Sequence, residues 1–362
     1  MTVTSLDLGL LHRLLGVPEH EGAYRLVRRA QQTSGTLAQL VVSLAVREGV
    51  EAGSGSGDLL ARAAARAARY AELRTALAGC PEVRTVKGPS LAAHYPPGVR
   101  RPVGDLDLVA PDEERLWRAA AALMSLGGEP TELSLFTTDG RLHVMLAVLW
   151  PSPDALMEEE IRVELCTAAF SGDFAAVPVR ADLPADPHLA DLLSVAEERF
   201  QREFHAKDAV DLWVLLDSGA VAPAVVAETA ARYRLAPELL ELAGLLGDAG
   251  GHPLLAPLRR LLTPAAARER ARRADVSRPA QLPDGVAERL EAGQPVWGMP
   301  LTRTPRPGER CALEHRPELT LARTPVGDFL LVAGELVDPD VHAAALAAAM
   351  DAKAAGNGEA GA

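Results

Sequence analysis

The sequence predicts an α+β protein: a small mixed β-sheet with helices, followed by a helical domain and a short C-terminal β segment. The first observation is composition, because the apolar residues are mainly alanine and leucine and aromatics make up only 4%, which favours helix over sheet. The second is the helical spacing of apolar residues in the first 50 positions, as in Leu37, Val41 and Leu44. The third is a change to strand alternation between residues 82 and 180, seen most clearly in Asp105–Val109.

Shifts in composition divide the 362-residue chain into five segments, which fits two domains or one large domain. Within the first segment, Gly53–Gly57 is predicted to be a flexible linker. Asp58 is then the predicted N-cap of a helix that runs to about Leu77. The segments are an N-terminal helical region at 1–80, a core at 81–183, a helical domain at 184–290, a C-terminal β hairpin and helix at 291–354, and a disordered tail at 355–362.

The elements follow from apolar periodicity and from the turn residues between them. Asp139-Gly140 is typical of a hairpin turn, and Val326–Asp328 is predicted to be another. The predicted strands lie at 83–86, 105–109, 132–137, 142–149, 161–165, 176–179, 319–323 and 329–332. The predicted helices of the second half lie near 188–203, 206–217, 222–232, 236–246, 254–262 and 342–354.

Charge and cysteine usage exclude several classes of protein. The net charge of −12 argues against a general nucleic-acid binder, which needs a basic surface to displace counterions, so long nucleic acid is not an expected partner. Cys80, Cys166 and Cys311 are far apart and odd in number, which predicts buried thiols rather than a disulfide framework or a zinc site. The N-terminus lacks a signal-peptide pattern and no apolar run is long enough for a membrane helix. We therefore expect a cytoplasmic protein without a membrane partner.

Two carboxylates lie two positions apart on a predicted strand. Asp105 and Asp107 share one strand face, while Leu106 and Leu108 point to the other, apolar face. Neighbouring carboxylates repel each other unless a positive group lies between them. Mg²⁺ is a suitable cation because it takes oxygen ligands and keeps positions for phosphate. The strand therefore predicts a metal site formed by Asp105 and Asp107.

A glycine turn precedes this strand and is suited to phosphate. Gly88 follows one predicted strand and begins a short helix, so its backbone N–H groups can approach a phosphate closely. Ser90 adds a hydroxyl to the same place. Lys87, Arg100 and Arg101 are the candidate positive charges. We expect these five residues to bind the phosphates of a nucleotide.

Together these motifs resemble the DNA polymerase beta-like nucleotidyltransferase superfamily, which has a glycine loop followed by a strand with two acidic residues. The chain is most similar to the bacterial family of uncharacterised nucleotidyltransferases, over roughly residues 20–217. The matching features are Lys87-Gly88, a short helix over Leu91–Pro96 containing Tyr95, Arg100 or Arg101, the strand Gly104–Val109, and the helical segment Phe204–Leu216.

The resemblance implies a third acidic residue on a later strand. Glu164 alternates with Val163 and Leu165 and is the candidate, although the family more often has Asp-Leu-His-Trp where this chain has Glu164-Leu165-Cys166-Thr167. The rival interpretation of Glu164 is an ordinary solvent-facing strand residue. Pro89 is a second departure, because the family usually has glycine or serine there.

The resemblance implies an enzyme that transfers a nucleoside monophosphate from ATP or another NTP to an acceptor, with Mg²⁺ as cofactor. Asp105, Asp107 and Glu164 would be the catalytic and metal-binding residues. The acidic net charge favours a small-molecule, peptide or protein acceptor. One alternative is a non-catalytic module that binds nucleotide or a partner on the same fold. A weaker alternative is a glycosyltransferase that uses the two aspartates to hold Mn²⁺.

Other polar residues are predicted to have structural or solvent-facing roles. His143 is predicted to be a satisfied strand histidine, and Lys207 a surface lysine although it could reach a triphosphate. Two arginine stripes are predicted to be solvated helix faces: Arg62, Arg66, Arg69 and Arg74, and then Arg268, Arg270, Arg272 and Arg273.

Overall fold

The computed structural model describes residues 6–276, 282–306, 308, 310–317, 319–334 and 337–359. These residues form a mixed α+β architecture, as the sequence predicts. The helices α1 to α13 are Leu8–Leu14, Gly22–Thr33, Leu37–Arg47, Ser54–Ala76, Gly88–Ala92, Glu113–Ser125, Pro187–Glu197, Ala206–Asp217, Pro223–Arg232, Ala236–Asp248, Leu255–Ala274, Val286–Glu291 and Pro339–Glu359. The strands β1 to β9 are Arg84–Val86, Asp105–Val109, Glu129–Thr138, Arg141–Trp150, Ile161–Cys166, Val296–Thr302, Ala312–His315, Thr320–Thr324 and Gly327–Val332.

The chain forms two compact units, and both the helix α4 and the strand β2 pass from one unit to the other. The strands follow the order β1-β2-β5-β4-β3-β6-β9-β8-β7. Unit 1 comprises Met1–Glu72, Thr85–Leu106 and Phe170–Ser277, and unit 2 comprises Leu73–Arg84, Asp107–Ala169 and Arg278–Ala362.

Unit 1 is mainly helical, because its amphipathic segments bury leucine and alanine against one another. In α3, Leu37, Leu40 and Leu44 are fully buried at the predicted helical spacing. In the second half, α7 and α8 bury most of their residues, including charged ones such as Asp191 and Asp211. A fully buried aspartate requires hydrogen-bonding partners, so these two helices carry the polar contacts described below.

Unit 2 is built around antiparallel strands. The turn Asp139-Gly140 joins β3 to β4, and both residues have positive φ, 50° and 73°, which suits a hairpin turn of the primed type. The register then places Leu135 opposite Val144, both fully buried. The hairpin predicted at this position is therefore confirmed.

The C-terminal strands extend the same sheet. Strand β6 pairs antiparallel with β3, with Leu133 opposite Gly298. A Cβ at Gly298 would lie 2.9 Å from Leu133 Cβ, so only glycine allows this close approach. Strands β9, β8 and β7 follow in turn, and α13 packs Ala345 and Ala348 against Leu321 and Leu330. The C-terminal segment therefore contributes four strands to the sheet.

Three local predictions need correction. Helix α4 begins at Ser54, so the predicted glycine-serine linker is largely its first turn. Residues 176–179 form no strand, and the nearest pairing is a single bridge between Phe170 and Arg180. Helix α13 continues to Glu359, into the predicted disordered tail, and residues 360–362 lie outside the described part of the chain.

Candidate functional site

The turn between β1 and α5 has an unusual backbone. As predicted, Gly88 lies at the junction of strand and helix, with φ 33°. Lys87 before it has φ 54° and ψ −133°, a conformation that residues with a Cβ rarely adopt. Pro89 occupies the first turn of α5, where its fixed φ suits the helix and its missing N–H costs nothing. A strained non-glycine residue of this kind persists only where its surroundings hold it in place.

Helix α7 and the residues after it hold this turn. The Lys87 backbone N–H donates to Asp191 Oδ1 at 2.7 Å, and the Ser90 side chain hydrogen-bonds to the same carboxylate. The Lys87 ammonium pairs with Glu198. The lysine and serine predicted to bind phosphate are thus engaged by carboxylates of the helical half.

Asp191 is the most constrained carboxylate of this cluster. It is 1% exposed, and its Oδ2 has no hydrogen-bond partner among the residues that the structure describes. Burial raises the pKa of Asp191 to about 6, although the hydrogen bonds from Ser90 and Lys87 oppose the rise. The charged form is therefore disfavoured by the folded state.

This environment predicts a pH-dependent stability difference for Asp191→Asn. Because the folded pKa is raised, ionisation destabilises the folded wild type progressively as pH rises from about 4 to about 6 and fully above that. Asparagine keeps one oxygen for Lys87 and does not ionise, so the variant should gain on the order of 1–3 kcal/mol relative to wild type between pH 4 and pH 7.

Urea denaturation at several pH values measures this difference, with the exposed Asp182→Asn as the matched control. A stability difference that stays constant across the range would contradict the raised pKa.

The prediction that Arg101 binds phosphate needs correction. The Arg101 side chain is 2% exposed, and its guanidinium donates to both oxygens of the fully buried Asp211, each at 2.8 Å. The Tyr95 hydroxyl donates to the same carboxylate at 2.6 Å. A guanidinium held in this way has its fork occupied and serves the packing of unit 1. Arg100 is exposed, and its backbone N–H donates to Ser43 Oγ at 2.8 Å.

Lys207 was expected at the surface but is half-buried at the start of α8. Burial lowers its pKa, Arg101 lowers it further, and Asp211, Asp208 and Glu198 oppose the shift. Within the described parts of the chain its ammonium donates no hydrogen bond. The signal in the sequence that could have placed it is the apolar character of its neighbours Ala206, Ala209 and Val210, all of which are buried.

Asp208 is neutralised by a different cation. Arg202 donates to its two oxygens at 2.7 and 2.9 Å, and the His205 backbone N–H donates to it at 2.9 Å. Lys207 is therefore the lysine of this cluster that can accept a new anionic partner without breaking a hydrogen bond.

Strand β2 has the predicted alternation. Asp105 and Asp107 are half-buried, whereas Leu106 and Leu108 are 0% and 2% exposed. A Cβ added at Gly88 would lie 3.8 Å from the Asp105 backbone oxygen. Within unit 1 the glycine turn therefore lies directly beside the start of the acidic strand.

In unit 2, Glu164 has a partner that the sequence did not reveal. Arg162, Glu164 and Cys166 share one face of β5, and Arg162 Nε donates to Glu164 Oε1 at 2.7 Å. Burial, together with the charges of Glu164 and Asp107, raises the pKa of the Cys166 thiol to about 12. Both acids therefore act on one thiol, but Glu164 is already paired with a guanidinium.

The donor set fits Mg²⁺ only in part. Among the described residues no group of three or more histidine, cysteine or acidic side chains is arranged to hold a metal ion. Two carboxylates on one strand face are sufficient for Mg²⁺ that takes its other ligands from water and substrate phosphates. Asp105 and Asp107 fit this requirement by their spacing, and Glu164 does not extend it while Arg162 holds it.

Two predicted structural roles have different outcomes. His143 is 1% exposed, lies within hydrogen-bond distance of Thr167 and stacks on Phe136 at 5.5 Å, so its structural role is confirmed. The end of α11 is not simply solvated, because Arg273 donates to Glu238 and Arg272 donates to the Ala176 carbonyl.

Comparison with known proteins returned no match to any protein-family model, curated protein or solved structure. In the portion of the chain with described coordinates, no helix has the length and apolar character needed to cross a bilayer.

Gly88→Val tests whether the turn binds phosphate. A β-branched residue is strained at φ 33° and blocks the approach of an anion to the backbone. We expect an unfolding cost of about 1–2 kcal/mol and a loss of ATP affinity of about tenfold or more, the cost of one hydrogen bond to a charged group.

Gly98→Val is the matched control, because Gly98 has φ 84° and open space around it. It should cost similar stability and leave ATP affinity unchanged in calorimetric titration. Equal ATP affinity in both variants would mean that the Gly88 turn holds no phosphate.

Proposed function

We propose that this protein is a Mg²⁺-dependent nucleotidyltransferase that moves a nucleoside monophosphate from an NTP to a small-molecule, peptide or protein acceptor. The observation that carries the proposal is the placement of the Gly88 turn beside the Asp105 backbone, with two successive residues at positive φ. A backbone shaped in this way at the start of a strand that carries two carboxylates suits a phosphate that is bound together with a cation.

The triphosphate would be received by cations of unit 1. Lys87 begins the turn, and Lys207 offers an ammonium without a hydrogen-bonded partner among the described residues. A phosphate carries more charge than the carboxylate of Glu198, so it competes for Lys87. Ser90 and Gly88 add donors at the same turn, and Arg100 remains an exposed candidate.

The acidic residues would hold Mg²⁺ and orient the reacting groups. Mg²⁺ bound by Asp105 and Asp107 would supply charge stabilisation for the transferring phosphoryl group. Glu164 is proposed as a third acidic participant, and this role requires it to leave Arg162. The net charge of −12 disfavours long nucleic acid as the acceptor.

The test is release of pyrophosphate from each of the four NTPs in the presence of Mg²⁺, with EDTA as the blank. Small-molecule, peptide and protein candidates are added as acceptors, and the protein itself is checked for attached nucleotide by mass spectrometry. Mg²⁺-dependent pyrophosphate release supports the proposal. Its absence with every NTP and acceptor overturns it.

A non-catalytic nucleotide-binding module is the second candidate. The observation favouring it is that Lys87, Ser90 and Glu164 are already engaged by Glu198, Asp191 and Arg162 respectively. Such a module would bind ATP in calorimetric titration without releasing pyrophosphate. Saturable binding without turnover would therefore favour the module.

A further inference from the structure

Helix α4 makes an unexpected contact with the residue that precedes Asp105. Arg66 was expected on a solvated face, but it is 8% exposed, and Tyr70 one turn later is fully buried. Both side chains reach the backbone carbonyl of Gly104. The contact joins the N-terminal helical region to the residue immediately before the acidic strand.

Two side-chain donors occupy both lone pairs of the Gly104 carbonyl oxygen. Tyr70 donates its hydroxyl hydrogen to Gly104 O at 2.6 Å, and Arg66 Nη1 donates to the same oxygen at 3.0 Å. Arg66 Nη1 also donates to the Tyr70 hydroxyl oxygen at 3.2 Å. A carbonyl oxygen has two lone pairs, so the two donors satisfy it and support each other.

Fixing this oxygen also orients Asp105. The Gly104 carbonyl and the Asp105 N and Cα atoms lie in one rigid peptide plane. The two donors from α4 fix the carbonyl side of this plane, in addition to the pairing of β2 with β1. The orientation of the plane contributes to the direction in which the Asp105 side chain leaves the strand.

We propose that Arg66 and Tyr70 are positioning residues for Asp105. The effect that we expect on catalysis rests on the proposed function. They touch neither nucleotide nor metal; they fix the peptide from which a metal-binding carboxylate projects. Partners that orient metal ligands typically influence metal affinity or activity by about 10–100-fold.

The activity test uses four variants: Arg66→Met, Arg66→Lys, Tyr70→Phe and, as control, Arg74→Met on an exposed position of the same helix. We expect Arg66→Met and Tyr70→Phe to lower kcat by about 10–100-fold and to raise the Mg²⁺ concentration for half-maximal rate. The KM for ATP should stay within about twofold, since the phosphate-binding residues are untouched. Arg66→Lys keeps one donor and should recover part of the loss.

A second measurement does not depend on turnover or metal. Deuterium uptake of the peptide covering β2 should be faster in Arg66→Met and Tyr70→Phe than in Arg74→Met, because the anchor of the strand is removed. Tyr70→Phe keeps the buried ring, so it remains informative if Arg66→Met fails to fold.

The outcomes separate the two proposals. Unchanged uptake in folded Arg66→Met and Tyr70→Phe overturns the positioning role, whether or not the protein transfers nucleotides. Wild-type kcat and Mg²⁺ dependence in these variants overturn it as well. Faster uptake together with an inactive wild type supports the anchoring of β2 and overturns the proposed function instead.

Discussion

Replacing Asp105 or Asp107 by alanine is expected to abolish pyrophosphate release while the protein remains folded. Both carboxylates are half-buried on one strand face, and the apolar face of β2 is formed by other residues. Under the proposed function, Mg²⁺ held by these carboxylates would supply several kcal/mol of transition-state charge stabilisation. Since each 1.4 kcal/mol or so is a factor of ten, the loss of one ligand should slow turnover by about 10³-fold or more.

Stability should respond in the opposite direction. Removing one of two neighbouring like charges relieves their repulsion, so the melting temperature without Mg²⁺ should stay level or rise slightly. Glu82→Ala, which removes an exposed carboxylate just before β1, controls for the change in net charge. Near-normal pyrophosphate release in either aspartate variant would show that the metal site has been assigned to the wrong residues.

Local pattern was sufficient for the elements around the candidate site. The alternation in Asp105–Val109 predicts a strand with one polar face, and the structure has it. The junction at Gly88 and the hairpin turn at Asp139-Gly140 follow from short-range backbone preferences of the same kind. Each of these features depends on residues that are close in sequence.

Features that depend on distant residues were not predictable in the same way. Gly298 and Pro300 weaken the strand signal of β6, and its pairing with Leu133 across more than 150 residues leaves no local trace. The burial of Arg66 depends on Gly104, 38 residues away. A periodic arginine on a helix looks solvated until the partner carbonyl is placed beside it.

Lys207 and Arg101 show the same limit at the site itself. Both are basic residues close to the predicted motifs. The sequence predicts Arg101 as one of several phosphate-binding residues and Lys207 as a surface residue. In the structure Arg101 is the cation that is already paired, because its guanidinium donates to Asp211, which lies 110 residues later in the chain. Lys207 is the cation without a hydrogen-bonded partner among the described residues. Only the folded arrangement shows which cation is already neutralised.

The buried pair of Arg101 and Asp211 leads to the largest stability effect that we expect. Asp211 is fully buried and accepts hydrogen bonds from Arg101 and from the Tyr95 hydroxyl. Burial and the charge of Asp211 both raise the pKa of Tyr95, so the phenol stays protonated as a donor. Asp211→Ala leaves the buried Arg101 guanidinium without an opposite charge. This change should lower the free energy of unfolding by about 3–5 kcal/mol.

The double variant Arg101→Met, Asp211→Leu separates the cost of an orphaned charge from the worth of the pair. Replacing both partners by apolar residues removes the buried charges together, and such replacements are often neutral or stabilising. We therefore expect urea denaturation, followed by circular dichroism, to show the double variant as more stable than Asp211→Ala.

The exposed neighbour Arg100→Met should stay within about 0.5 kcal/mol of wild type. If Asp211→Ala costs less than about 1 kcal/mol, the typical value of one hydrogen bond, then the ion pair does not anchor the helical half as its burial indicates.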